Sequence, residues 1–409
     1  MTPAARTCVL LVAGLSWLAP ARVGGQPAAA DAPPPRPHAE IYGAAMLDIG
    51  YDFKQINPDW FDTMKVTQLP KSPREFGEDG RTYAGVRQSR FGVKTGTPTA
   101  LGELTTWFEF EMFGVGVDAG QTTFRLRHAY GELGAFGAGQ TWSAFMDIDV
   151  FPNSIEYWGP TGMVLFRNVQ VRYMPVRGTH DVVLAVERPG ASGDEGPYGD
   201  RIQVQNVQTR NPLPDFTGAY KYTGDGWGYV RVGGALRRLQ WDDLLEDQFT
   251  LGGNAVGWGL NLSANVNAGK RDVLRLQFVF GEGIQNYMND APVDVAIQNN
   301  FADPRRPLLG KPLPVTGLVA FLDHKWSNRW SSTVGYSRTD IDNTDGQTAD
   351  AYGTGQYALL NLLHYPAPNV MVGGELQYGR RTNAFDGFSA DGLKLQFSFK
   401  YNFSWKLGG

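Results

Sequence analysis

The sequence predicts an all-β fold: a transmembrane antiparallel up-and-down β-barrel of about sixteen strands with an inward-folded third long loop. Three observations predict it. Short runs alternate apolar and polar residues along most of the chain, the connections between them alternate long and short, and the composition is rich in glycine and aromatics. Glycine makes up 51 of 409 residues and aromatics 12%, whereas long helical patterns of Ala, Glu, Lys and Leu are missing. No stretch reaches the length that a membrane-spanning helix needs.

The run "LKLQFSFKYNF" (393–403) states the pattern most clearly. Leu393, Leu395, Phe397, Phe399, Tyr401 and Phe403 share one parity; Lys394, Gln396, Ser398, Lys400 and Asn402 share the other. Side chains along a strand point to opposite faces with period two, so one face is aromatic and the other basic. In "LTTWFEFEMF", Phe108, Phe110 and Met112 oppose Trp107, Glu109 and Glu111 in the same way; in "VLRLQFVF", Leu274, Leu276, Phe278 and Phe280 oppose Arg275, Gln277 and Val279. Sixteen such runs are legible, at roughly 41–53, 81–95, 103–114, 124–134, 136–146, 169–176, 180–188, 215–224, 227–240, 254–269, 272–282, 314–327, 330–340, 356–366, 370–381 and 391–405.

The connections fix the class. Short ones such as "GDG" (224–226), "GKR" (269–271), "SNR" (327–329) and "PAPN" (366–369) alternate with long ones at 54–80, 147–168, 189–214, 241–253, 283–313, 341–355 and 382–390 and a moderate one near 115–123, which makes 147–168 the third. That is the meander of an outer-membrane barrel, with tight periplasmic turns and longer outer loops. An even strand count puts both ends of the barrel on the short-turn side. Secreted sandwiches use Greek-key connections and repeat folds have a period; neither is visible. Trp330, Tyr336, Tyr365, Phe403 and Trp405 near short turns read as an interfacial aromatic girdle.

Ahead of the barrel domain (41–405), residues 1–21 read as a secretory signal, with Arg6, the run "CVLLVAGLSWLA" and small residues; cleavage after Ala21 or as late as Ala30 fits. Residues 22–40 form a Pro/Ala-rich leader. The one cysteine, Cys8, lies in the signal, which excludes a disulfide framework. A net charge of −4 excludes a polybasic nucleic-acid binder.

If the apolar parity faces lipid, the other lines a bore wide enough for water. That parity carries Arg90, Lys94, Arg125, Arg127, Arg172, Arg231, Arg237, Arg275, Lys394 and Lys400 against fewer acids, namely Glu109, Glu111, Glu187 and Glu375. Rings of Arg and Lys attract anions in a narrow bore, and the Arg fork suits carboxylates. Arg125 and Arg127, two apart, make the best anion candidate; pairing with Glu109 and Glu111 across strands is the structural alternative. The close spacing of Arg87 and Arg90 marks a place where a bulge would shift the parity.

The connection "DIDVFPNSIEYWGPTGMVLFRN" (147–168) is unusually apolar for a solvent loop. Folding into the bore would bury Val150, Phe151, Ile155, Tyr157, Trp158, Met163, Leu165 and Phe166 and present Asp147, Asp149, Glu156 and Arg167 to the channel. The alternative is packing at a subunit interface or over the mouth.

The stretch 125–175, with "GQTWSAFMD", "GPTGM" and "RNVQVRY" in order, resembles the signature region of the DcaP-like outer-membrane porins. "SRFGVKTGT" (89–97) and the last strand resemble porins more broadly. The resemblance implies a trimer of sixteen-stranded barrels, a third loop folded inward as a constriction, and uptake of small anions, dicarboxylates among them. Two departures stand out: the leader is short and Pro-rich where some members carry a helical extension, and "SWKLGG" follows Phe403 where porins typically end on an aromatic residue.

Nothing else rises to a site. His38, His128, His180, His324 and His364 have no metal-ligand spacing, and "DIDNTDG" (340–346) is out of register for a calcium loop. No phosphate loop, dinucleotide fingerprint or nucleophile elbow is present. The sequence therefore predicts no enzyme, no cofactor and no metal. It predicts an outer-membrane porin for small hydrophilic solutes with a preference for anions, with outer-membrane lipid, lipopolysaccharide and further copies of itself as partners. The alternatives are a non-selective porin or one made cation-preferring by Asp147, Asp149 and Glu156; an adhesin or outer-membrane hydrolase stands behind them.

Overall fold

The computed structural model describes residues 36–408, in which sixteen antiparallel strands close into a barrel. They are β1 (His38–Asp52), β2 (Arg81–Gly85 continued by Arg90–Thr99), β3 (Gly102–Phe113), β4 (Thr122–Leu133), β5 (Phe136–Trp142), β6 (Arg167–Val176), β7 (His180–Glu187) and β8 (Asp215–Gly224). The second half comprises β9 (Gly228–Asp243), β10 (Gly253–Ala268), β11 (Asp272–Glu282), β12 (Pro314–Lys325), β13 (Trp330–Ile341), β14 (Tyr352–Ala367), β15 (Val370–Asn383) and β16 (Ser389–Gly408). Each pairs with its sequence neighbours, and β16 closes on β1 from His38↔Gly408 to Asp52↔Lys394. Closure removes the sheet edges except along Thr122–His128 of β4, which β5 does not reach, and closure is the condition for crossing lipid with strands. The expected signal, 1–21, and the leader as far as residue 35 lie outside the described residues. The leader's last residues, 38–40, belong instead to β1, and β16 runs past 405 to Gly408.

The parity reading of the last strand holds. Lys394, Gln396 and Ser398 are 0%, 0% and 1% exposed, while Phe397, Phe399 and Tyr401 on the other face are 50%, 53% and 58% exposed. The same outward belt continues through Leu47, Phe108, Val171, Leu260, Leu318 and Leu360, all exposed. An uncovered belt of this kind is what a lipid-facing barrel carries. Trp227, Trp330 and Trp405 stand exposed near the short-turn end, as the girdle requires. Tyr365 is the exception: it packs against Met46, Ile155, Leu363 and Met371, and its hydroxyl meets Asn153, so it belongs to the inner face.

Short turns need backbone that most residues avoid. Gly226 turns at φ 78° and Asn369 at φ 66°; glycine has no Cβ to clash there, and asparagine tolerates the left-handed region. A slip does occur beside Arg87: successive residues Arg87 and Gln88 are both buried where β2 is interrupted. A second slip, between Glu109 and Phe110 in the β3–β4 register, buries both Arg127 and His128.

The apolar core is not on the lipid side. Met64, Val66 and Leu69 from the first long connection, Val150 and Met163 from the third, and Ile284, Tyr287 and Leu313 from the connection after β11 form one cluster. That cluster includes the inner-parity wall residues Val279, Val319, Phe321, Tyr357 and Leu359. The greasy third connection therefore packs within its own chain.

Candidate functional site

Glu111 on β3 is where the chemistry concentrates. Its carboxylate meets Arg127 Nη1, lies 3.7 Å from Arg90 Nε, 3.6 Å from Arg125 Nη1 and 3.5 Å from Arg167 Nη2. Glu109 takes a second bond from Arg127 Nε at 2.6 Å. The β3–β4 pairing places Glu111 opposite Arg125, and the bulge turns Arg127 toward both acids. The indole of Trp142 lies under two of the guanidiniums, 5.4 Å from Arg127 and 4.9 Å from Arg167. Four cations on one carboxylate leave the neighbourhood positive.

A cavity of about 610 Å³ opens beside this cluster, bordered by Arg90, Arg125, Arg127, Arg167 and Lys400. Arg125 is the most open member of the best sequence candidate, with its side chain 30% exposed; Arg127 is 7% exposed and bound to both acids. The two alternatives for this pair thus divide between its members, with Arg127 in the wall and Arg125 part-exposed on the cavity side, where its Nη1 also donates to the Tyr157 hydroxyl at 3.3 Å. Arg90 Nε and Arg167 Nη1 have no hydrogen-bond partner among the described residues.

The third connection borders the same cavity and is tied to wall residues of the buried parity. The Ile155 amide donates to Glu375 at 3.1 Å, Gln396 donates to the Ile155 carbonyl at 3.1 Å, and Asn361 donates to the Asn153 carbonyl at 2.8 Å. Tyr157 stacks on Phe113 at 3.8 Å and donates its hydroxyl to Glu111; burial pushes that phenol upward from its ordinary value.

Two acids expected in the channel are hidden. Asp147, 5% exposed, accepts from Tyr229 at 2.9 Å and Ser263 at 2.5 Å; Glu156, 2% exposed, accepts from the amides of Met64 and Gly159. The connection turns too tightly to leave these oxygens free, so backbone and hydroxyl donors occupy them. Burial pushes the Glu156 carboxyl up to about 7. Asp149 stays accessible but pairs with Lys221 at 3.2 Å, and its carbonyl accepts from Arg275.

Other expected pore cations are spoken for. Arg275 pairs with Asp323 at 2.5 Å, Lys394 with Asp52 at 2.7 Å, and Arg237 with Asp215 at 2.9 Å and Asp294 at 2.8 Å. Arg172 is held by Gln170 and the Trp142 carbonyl. Lys94 lies apart from the cluster, between the rings of Tyr42 and Trp107 in a second cavity of about 350 Å³ toward the short turns. The inner acids Asp48, Asp52, Asp215 and Asp323 were missed by the sequence reading. Asp48 and Asp52 do fall on the polar parity of their run, which is the signal that could have found them, whereas Asp323 shares its parity with Val315, Val319 and Phe321 and carries no such signal.

Residues 35–403 match the model of the family described as DcaP outer membrane protein. The chain belongs to that family. This DcaP-family chain also superposes on the outer membrane channel DcaP of Acinetobacter baumannii with a TM-score of 0.75 at 20% identity, over 90% of this chain and 98% of that one. An anion-selective porin from Comamonas acidovorans gives a TM-score of 0.58 at 12% identity, over 90% of this chain and 100% of that one. The trimer form of OmpT from Vibrio cholerae gives 0.53 at 13%, with the same coverage of 90% and 100%. No curated protein sequence matches the chain. Family and fold are those of an outer-membrane channel rather than an enzyme.

Proposed function

We propose that this DcaP-family protein is a passive porin that prefers small anions, dicarboxylates among them, and that the 147–168 connection narrows its bore. The observation that carries this reading is the cavity border: five cations, Arg90, Arg125, Arg127, Arg167 and Lys400, against one acid, Glu156, whose oxygens are taken by backbone amides. The part-exposed guanidiniums of Arg90 and Arg125 are donors that a passing carboxylate would meet. A fixed positive field in a narrow bore raises the local anion concentration without tight binding, as conduction requires. The cation-preferring alternative loses its filter, because Asp147 and Glu156 are buried and Asp149 is paired. The anion selectivity of the Comamonas porin, on the same fold, agrees with this reading.

The same reading includes a cleaved signal, no catalytic step, and a homotrimer embedded in outer-membrane lipid and lipopolysaccharide. For the trimer, β4 pairs with β5 only from Ala129 to Leu133, so its stretch Thr122–His128 has no strand partner on that side. Lipid cannot satisfy backbone polar groups, and a second copy covering that stretch removes the problem.

Osmotic swelling of liposomes tests the function. In isosmotic solutions, succinate should enter faster than a neutral sugar alcohol of similar size. Equal rates, or faster entry of a cation such as lysine, would overturn the anion preference.

A further inference from the structure

The cavity has a second kind of wall that a simple anion filter does not use. All five of its cations come from strands: Arg90 from β2, Arg125 and Arg127 from β4, Arg167 from the start of β6 and Lys400 from β16. These strands lie on one arc of the barrel running from β16 through β1 to β6. The large apolar side chains at the cavity come mostly from connections instead: Ile148, Phe151, Trp158, Leu165 and Phe166 from the third, and Met288 from the one after β11. Ile148, Phe151, Leu165 and Phe166 are only partly buried, although they pack on the core. A compact inorganic anion would touch the guanidiniums and leave this surface wet. An anion with a hydrocarbon body would cover it, which is favourable in proportion to the apolar area removed from water.

We propose that the cavity discriminates in favour of amphipathic organic anions, such as aryl and branched-alkyl carboxylates. The carboxylate rests on the arginine arc and the hydrocarbon lies against the third connection. This deepens the anion-porin reading and rests on it. One ring face laid on the connection is worth about a tenfold preference over the same carboxylate without the ring. A preference of that size still allows release on the far side.

Single-channel block in symmetrical KCl tests the proposal, using phenylacetate, acetate and benzyl alcohol as probes on the unmodified protein. Phenylacetate should reach half-block at about one tenth of the acetate concentration, and benzyl alcohol should leave the current unchanged. Phe151→Ser should pull the two carboxylates toward equal potency. Equal potency in the unmodified protein overturns the proposal while leaving the porin anion-preferring, provided a KCl gradient still gives an anion-selective potential. Block by benzyl alcohol as strong as by phenylacetate overturns it too, since the anion end would then contribute nothing. A cation-selective potential overturns both this proposal and the reading beneath it. The unmodified-protein comparison decides the matter even where Phe151→Ser fails to fold.

Discussion

The hydroxyl of Tyr157 donates a hydrogen bond to Oε1 of Glu111. That contact joins the third long connection to the carboxylate on which Arg90, Arg125, Arg127 and Arg167 converge. The loop and the charge cluster therefore hold each other. Tyr157→Phe keeps the stack on Phe113 and removes only the hydroxyl. It should cost about 1.5–3 kcal/mol, the usual worth of a hydrogen bond to a charged group. Thermal unfolding in detergent measures this, and an unchanged midpoint would mean the bond does not tie the loop to the wall.

Arg125 and Arg127 should separate cleanly. Arg125→Ala, on the half-open side chain, should weaken anion preference and change stability by no more than about 0.5 kcal/mol. Arg127→Ala leaves Glu109 and Glu111 short of their closest buried cation and should cost about 3–5 kcal/mol. Reversal potentials and unfolding midpoints of the two variants check this. Identical behaviour in both would dissolve the distinction between wall and filter.

Glu156 sets a pH dependence. Burial raises its folded-state value to about 7 from an ordinary 4.5. Between those values the folded protein holds more protons than the unfolded chain, so stability falls as pH rises. The contribution is present in full below about pH 4.5 and is lost as pH climbs through 7. Glu156→Gln should flatten that part of the stability profile. A variant whose unfolding midpoint falls with pH as steeply as the parent's would assign the slope to another group.

The lipid face can be tested with one residue against its neighbour. Phe399→Arg puts a charge among the exposed belt and should cost about 2–4 kcal/mol if it lies near the bilayer midplane. Lys400→Arg, one residue on and facing the other way, keeps a cation at the cavity and should fold normally. Normal insertion of Phe399→Arg would argue against lipid contact at that position.

The fold was legible because a barrel writes its two faces directly into the chain. Leu393 to Phe403 alternates without a break, and neither a bulge nor a helix confuses the period. Legibility fails where the period does. Arg127 and His128 are both buried because the register slips beside Glu109, and no composition signal marks that slip. Tyr365 was misplaced for a related reason: an aromatic beside a short turn can stand on either face, and this one answers to Asn153. Of the candidate site, the basic parity was readable but its neutralisation was not. Arg237, Arg275 and Lys394 all lie inside, yet their partners Asp294, Asp323 and Asp52 sit far away in sequence or in a loop. Asp147 and Glu156 read as channel acids because a sequence does not reveal which hydroxyls and backbone amides will reach a carboxylate.

The reversal potential of the purified protein in a planar bilayer under a KCl gradient tests the central claim most directly, because potassium and chloride move almost equally fast in water. An anion-preferring bore gives a potential displaced toward the chloride equilibrium value, and Arg125→Ala reduces that displacement. A potential displaced toward the potassium value, or an unselective one near zero, would contradict the arginine arc as the filter.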